Sequence, residues 1–163
     1  MRRALTSLTL ALLASCGAPE TTPDAETDAC GPSEGTVATV IDGDTLRLAS
    51  GETIRLLLVD TPETYGDVEC WGDEAKAATR GLLTGKHVRL EYDVECRDRY
   101  DRLLAYVERD GFDVNAYLVE SGHACVLQVK PNGAERVDAM RELERQARAE
   151  GRGLWGACTE RVC

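Results

Sequence analysis

Along residues 36–108, apolar and polar positions alternate in short runs separated by turn-forming residues. Residues 36–41 read TVATVI, a β-branched run that stops at Asp42-Gly43-Asp44, a tight-turn signal. Residues 45–48 alternate and turn again at Ala49-Ser50-Gly51-Glu52. Residues 53–59 form a third predicted strand, and Pro62 ends it because proline cannot continue a central ladder. Residues 87–92 and 103–108 add two more, with a charged loop at 95–101 between them. Elsewhere the period lengthens. Residues 73–83 place Ala75, Ala78, Leu82 and Leu83 at helical spacing, with Asp73 as the cap. Residues 113–121 predict a second helix stopped by Gly122. Asn132 is read as the cap of a third, running to about residue 150 with Val137, Met140, Leu143 and Ala147 on one stripe. Five strands with interspersed helices do not follow the regular alternation of a parallel sheet. They predict an α+β, mainly β fold: a five-stranded OB-type β-barrel with about three packed α-helices.

The third predicted strand breaks its own pattern. Side chains alternate faces, so Leu56 and Leu58 share one face while Arg55, Leu57 and Val59 share the other. A strand apolar on both faces is buried, and Arg55 is therefore expected in the interior or in a cleft wall, where it needs anions. Asp44, Asp60 and Glu63 are the nearby candidates. Gathering carboxylates costs repulsion unless a cation sits among them, and a hard, oxygen-seeking ion such as calcium fits that role. A structural salt-bridge cluster explains the same spacing equally well. The chemistry concentrates in three stretches: DGDT at 42–45, RLLLVDTPE at 55–63 and DRYDR at 98–102. His87 and His123, far apart in sequence, read as structural.

Charge complicates this picture. The chain carries a net charge of −10 over 163 residues, one domain's length. A protein that binds a polyanion usually shows a basic footprint, and this one has none overall. An acidic cleft that takes a divalent cation would ease the conflict, and the absence of any polyanionic partner would remove it.

The first residues add a location. Met1-Arg2-Arg3 precedes an apolar stretch at 4–14, too short to span a membrane, that ends in Leu13-Ala14-Ser15-Cys16. Residues 1–15 are expected to be a signal peptide. The small residues before Cys16 resemble a bacterial lipobox, whose cysteine is acylated; an ordinary cleavable signal is the alternative. Residues 16–34 read as a lipidated cysteine and a disordered acidic tether, and residues 35–163 as the folded domain. The expected location is extracytoplasmic: held by the lipid anchor on the periplasmic or cell-surface face of a bacterial envelope membrane, or secreted if not lipidated. Assigning Cys16 to lipid leaves Cys30, Cys70, Cys96, Cys125, Cys158 and Cys163, an even set that reads as disulfides with the pairing open. Cys158 and Cys163 could close a small ring, a Cys70–Cys96 bridge would stiffen the charged rim, and Cys125 could instead be a buried thiol. No CxxC spacing supports a zinc site.

The segments VIDGDTLRL, IRLLLVDTPE, CWGDEA, DRYDRLLAYV and VNAYLVESG, in this order and at these intervals, resemble staphylococcal nuclease-like domains over residues 36 to about 156. The resemblance implies a calcium-dependent endonuclease acting on DNA and RNA and leaving 3′-phosphates; a monomer is expected, since nothing in the sequence indicates an oligomer. Asp44 and Asp60 match the calcium carboxylates, with the Thr61 carbonyl as a further ligand. Glu63 matches the residue that activates or orients water. Arg55 and Arg102 match two arginines that grip the scissile phosphate, Tyr100 a tyrosine on the terminal phosphate, and Asp42 an acid behind the metal ligands. The physical reasoning agrees: hydrolysis of a phosphodiester builds negative charge, and a cation with two guanidiniums stabilises it.

Some positions depart from the family pattern. Asp101 stands where a glycine or another neutral residue is usual, directly before Arg102. Leu127 and Gln128 occupy a region where the best-known members place a base-stacking tyrosine, and the loop after Glu63 is acidic, with Asp67 and Glu69. Two other readings predict different behaviour. A catalytically silent OB domain would bind nucleic acid or protein without turnover. A structural envelope lipoprotein would use calcium only as a scaffold.

Overall fold

The computed structural model describes residues 29–159. The expected signal peptide, Cys16, most of the tether and Cys163 lie outside the described residues.

Strands β1 (Glu34–Asp42), β2 (Thr45–Leu48) and β3 (Thr53–Leu56) form the expected antiparallel meander. They are followed by α1 (Gly72–Leu83), β4 (His87–Arg97), β5 (Leu103–Arg109), β6 (Phe112–Asp113), α2 (Val114–Glu120), α3 (Val137–Glu150) and the short α4 (Leu154–Ala157). The sheet order is β3-β2-β1-β4-β5-β6. In addition β3 pairs in parallel with β5, Ile54 opposite Leu103 and Arg55 opposite Leu104. The first five strands thus return on themselves in the OB-type arrangement. Alternate strand residues fill the inside, among them Val37, Leu46, Leu48, Ile54, Leu56, Val88, Leu103 and Val107. Helix α2 adds Val114, Leu118 and Val119, and α3 adds Val137 and Met140. Each fully buried aliphatic side chain contributes roughly 1.5–3 kcal/mol relative to exposure.

Several expectations are corrected by local geometry. The third strand ends at Leu56 instead of Val59: Leu57 and Leu58 form a turn, Leu58 has φ 59°, and the whole apolar run is buried in that turn. The turn is held by Asn115 of α2, which is fully buried. Its Nδ2 donates to the Leu57 carbonyl at 2.9 Å, and its Oδ1 accepts from Val107 N at 2.9 Å. Strand β4 runs to Arg97, consuming part of the predicted charged loop, because Arg97 still pairs with Leu103. Asp73 lies within the first turn of α1 and is not its cap; Trp71, with φ 75°, holds that position. Asn132 is no cap either. It is buried and pairs with the main chain of Glu95, accepting from its N at 2.7 Å and donating to its O at 2.9 Å, and α3 begins only at Val137.

The disulfide expectations also change. Cys30 bonds Cys96 and Cys70 bonds Cys158, so neither the Cys70–Cys96 bridge nor the Cys158–Cys163 ring forms. Cys125 is disulfide-bonded and is not a free buried thiol. Exposed His87 stands 3.4 Å from Glu34, and His123 accepts a hydrogen bond from Trp71 Nε1 at 3.1 Å. Among the described residues no helix is long and apolar enough to cross a membrane.

Candidate active site

The three charged stretches meet at one end of the barrel. The β1–β2 turn presents Asp42 and Asp44, β3 presents Arg55, the chain after the Leu58 turn presents Asp60, Thr61 and Glu63, and the β4–β5 turn presents Tyr100 and Arg102. Pairing sets this meeting. Arg55 stands opposite Thr45 on β2 and opposite Leu104 on β5. The Asp44 carbonyl accepts from Leu56 N at 2.9 Å, which ties the turn to β3. Asp60 is placed by a two-way main-chain bridge with Cys125, at 2.9 and 2.8 Å.

Arg55 behaves as its strand position requires. Its side chain is 14% exposed, with Nη1 at 3.1 Å from Asp44 and Nη2 at 3.0 Å from Asp60. Glu63, the third nearby carboxylate, does not pair with it. Asp44 is buried and also accepts from Thr45 Oγ1 at 2.9 Å and from Thr61 N at 3.1 Å. Asp42 accepts from Gly43 N and from Thr64 Oγ1, at 2.9 and 3.1 Å. Close approach makes Gly43 necessary, since a Cβ there would lie 2.6 Å from Thr61 Oγ1. Thr79 of α1 secures the same turn from below, donating to the Gly43 carbonyl at 2.6 Å.

Arg102 is held by Asp98, a residue the sequence reading left without a role. Nε and Nη2 of Arg102 lie 2.7 and 2.6 Å from Asp98 Oδ2, and Asp98 Oδ1 accepts from the main chain of Tyr100 and of Arg102. Burial pushes the Asp98 carboxyl upward, but these bonds outweigh it and hold the group below its ordinary value. Arg102 also reaches Thr45 Oγ1 at 3.5 Å, which links it through Thr45 to Asp44. Tyr100 is 64% exposed, with the guanidiniums of Arg99 and Arg102 at 4.8 and 5.4 Å from its ring centre. Asp101 pairs with Arg97 at 3.2 Å, and Arg102 with Asp98. It has φ 63°, a backbone that suits glycine and that aspartate tolerates better than most residues.

Arg55, Arg97, Arg99 and Arg102 line one cleft of about 550 Å³, together with Tyr100, Leu127, Val129, Glu95 and Asp98. Locally the cleft is cationic, although the chain is acidic. Its neighbour is the reverse. Glu63 is exposed, yet partial desolvation by its surroundings first, then the charges of Asp42, Asp44, Asp60 and Glu69, push its carboxyl above its ordinary value. Burial does the same to Asp60, with Arg55 opposing and Asp44 adding. Crowded carboxylates offering oxygen donors alone fit a hard cation such as calcium, and Asp44, Asp60 and the Thr61 carbonyl would be its ligands. Among the described residues, no three acidic, histidine or cysteine side chains converge closely enough to form an all-side-chain cage.

A barrel of this topology with paired arginines and acids at one end defines a class. The family model for staphylococcal nuclease homologues matches residues 53–157, and the chain belongs to the staphylococcal nuclease family. It is 36% identical over 125 residues to the thermonuclease of Staphylococcus intermedius, covering 73% of this chain and 74% of that protein. It is 35% identical over 127 residues to endonuclease YncB of Bacillus subtilis (strain 168), covering 74% of this chain and 60% of that protein. It is 34% identical over 127 residues to the SPbeta prophage-derived endonuclease YokF of the same strain, covering 74% of this chain and 43% of that protein. The chain thus spans about half the length of the two Bacillus relatives.

Proposed function

We propose that this chain is a calcium-dependent endonuclease that hydrolyses phosphodiester bonds of DNA and RNA and leaves 3′-phosphates. One observation carries the reading: Arg55 and Arg102 line a single cleft and both connect to Asp44, the first directly and the second through Thr45. Two guanidinium forks facing one space suit the equatorial oxygens of a phosphate under attack. The names of the relatives, thermonuclease and endonuclease, point the same way.

In this reading Arg55 and Arg102 bind the scissile phosphate and stabilise the charge that grows on it. Glu63 accepts a proton from the attacking water, and the acids around it raise its affinity for that proton. The water oxygen bonds to phosphorus as the phosphorus–O5′ bond breaks, and the departing 5′-oxygen takes a proton from solvent to become a hydroxyl. Tyr100 contacts a flanking phosphate beside Arg99. Asp42 braces the Gly43 turn and Thr64. A calcium ion held by Asp44, Asp60 and Thr61 would act as Lewis acid and template. The disulfides suit an oxidising, extracytoplasmic compartment, in keeping with a lipid anchor at Cys16.

The test is incubation of the oxidised full chain with denatured DNA and with RNA, in calcium and in chelator, beside Glu63→Gln and Arg55→Ala. Calcium-dependent cleavage that both variants lose supports the reading. Binding of DNA without turnover would replace it with a silent binding module. Calcium-raised melting without DNA affinity would replace it with a structural lipoprotein.

A further inference from the structure

Glu63 stands at the start of a segment that contributes nothing to the core. From Glu63 to Cys70 every residue is exposed except the half-buried Thr64. Tyr65 and Val68, its large apolar residues, are 90% and 64% exposed. Burial therefore does not order this stretch. Its near end rests on Gly72, where a Cβ would stand 2.6 Å from the Glu63 carbonyl oxygen. Its two ends close on each other: Glu63 N donates to Glu69 Oε2 at 3.0 Å, and Glu69 N donates to the Glu63 carbonyl at 3.0 Å, while the Thr64 side chain between them donates to Asp42 at 3.1 Å. Its far end is covalently fixed, because Cys70, next to Glu69, is bonded to Cys158 immediately after α4. An exposed pair of hydrogen bonds is readily exchanged for water. A covalent tie one residue away removes most of the freedom that exchange would use.

We propose that the Cys70–Cys158 disulfide and the Glu69 side chain form a clasp that holds the Glu63 backbone in place, which makes Cys70, Cys158 and Glu69 positioning residues for phosphodiester hydrolysis. The assignment rests on the nuclease reading for its effect on turnover, and on geometry alone for its effect on the loop. Glu69 places a second negative charge beside Glu63, so it is there at an electrostatic cost; its acceptor oxygen on the Glu63 amide is what it supplies.

The second disulfide provides an internal control. Cys30–Cys96 joins residues 66 apart and Cys70–Cys158 joins residues 88 apart. Opening either frees a loop of similar length in the unfolded chain, so the two losses of stability should be alike. The experiment compares the full chain with Cys70→Ser/Cys158→Ser, Cys30→Ser/Cys96→Ser, Glu69→Ala and Glu69→Gln, in calcium, well below every melting temperature. Displacing a catalytic group by a fraction of an ångström lowers turnover more than binding, so the Cys70/Cys158 pair and Glu69→Ala should each lower kcat about 10-fold and change KM by less than about 2-fold. Glu69→Gln, whose amide oxygen accepts the same N–H, should recover kcat to within about 3-fold. The Cys30/Cys96 pair should lose melting temperature and keep kcat. Amide hydrogen exchange at Glu63 should quicken in the Cys70/Cys158 pair and in Glu69→Ala only. An unchanged kcat in the Cys70/Cys158 pair, or an equal fall in both disulfide variants, would overturn the proposal, as would equal Glu63 protection in every variant. If the unaltered chain shows no cleavage, the nuclease reading fails, while the exchange measurement still decides whether the clasp exists.

Discussion

The candidate site is assembled from two kinds of structure. One half, with Asp44, Arg55 and Arg102, sits on or beside strands whose ladder fixes each position. Asp44 and Arg55 there neutralise one another in a nearly dry setting. The other half, with Glu63, lies on a solvent-facing loop held by a glycine contact, the hydrogen bonds between Glu63 and Glu69, those of Thr64 with Asp42 and Lys76, and a disulfide. Groups meant to hold a charged phosphate gain from burial, because their interactions strengthen as water is excluded. In the proposed mechanism Glu63 handles a water molecule and must stay wet, which suits a group fixed from behind and not by packing.

This contrast predicts that substitutions in the two halves separate activity from stability. Glu63→Gln should lower kcat by about 10²–10⁴-fold while the melting temperature moves by less than about 2 °C, since one charge leaves a crowded acidic group. Arg55→Ala should lower kcat by about 10²-fold or more. In chelator it should also destabilise the fold by roughly 3 kcal/mol, because Asp44 keeps its charge without its partner; denaturant titration of both variants checks the pair. Asn115→Ala should cost about 3 kcal/mol in the same titration, since the Val107 N–H and the Leu57 carbonyl lose a buried partner together.

A smaller effect concerns the wall behind the loop. Burial holds His123 below its ordinary value, and its neutral Nδ1 accepts from Trp71. The unfolded chain then takes up this proton at a higher pH than the folded one. The stabilisation is complete above about pH 6.5, the unperturbed value, and is lost as pH falls through the lower folded value. Melting temperature should therefore drop less on acidification in His123→Gln than in the unaltered chain. Smallest of all, Asp101→Gly should change stability by no more than about 0.5 kcal/mol, because relief of a left-handed backbone offsets the loss of an exposed ion pair. It should change kcat by less than about 2-fold, since Asp98 holds Arg102.

The strand half was legible in the sequence because alternation is a strong signal. Arg55 in an apolar run announces a buried cation, and its partners Asp44 and Asp60 lie on the two turns next to it. Helix stripes and the glycine stops were readable for the same reason. What the sequence did not reveal depends on single side chains reaching across the fold. Asn115 sits in an ordinary amphipathic helix, and nothing local says that it bonds a turn 58 residues away. Asn132 looks like a helix cap because caps favour asparagine, yet the main chain of Glu95 claims its side chain first. Cys70 found Cys158 and not Cys96 because pairing follows distance in space, which spacing along a chain does not encode.

The bridge between Asp60 and Cys125 gives the chain a sense of time. Synthesis runs from the first residue to the last, and Asp42, Asp44, Arg55, Asp60, Glu63 and Arg102 have all been made before residue 125. A product that stops short of Cys125 carries every one of those side chains and lacks the backbone partner that fixes Asp60. One that stops short of Cys158 leaves Cys70 unpaired beside Glu69. Cys125 and Cys158 contribute none of those charged groups, but they complete the placement of Asp60 and of the loop that carries Glu63, so those two positions are settled only after the rest of the site has been made.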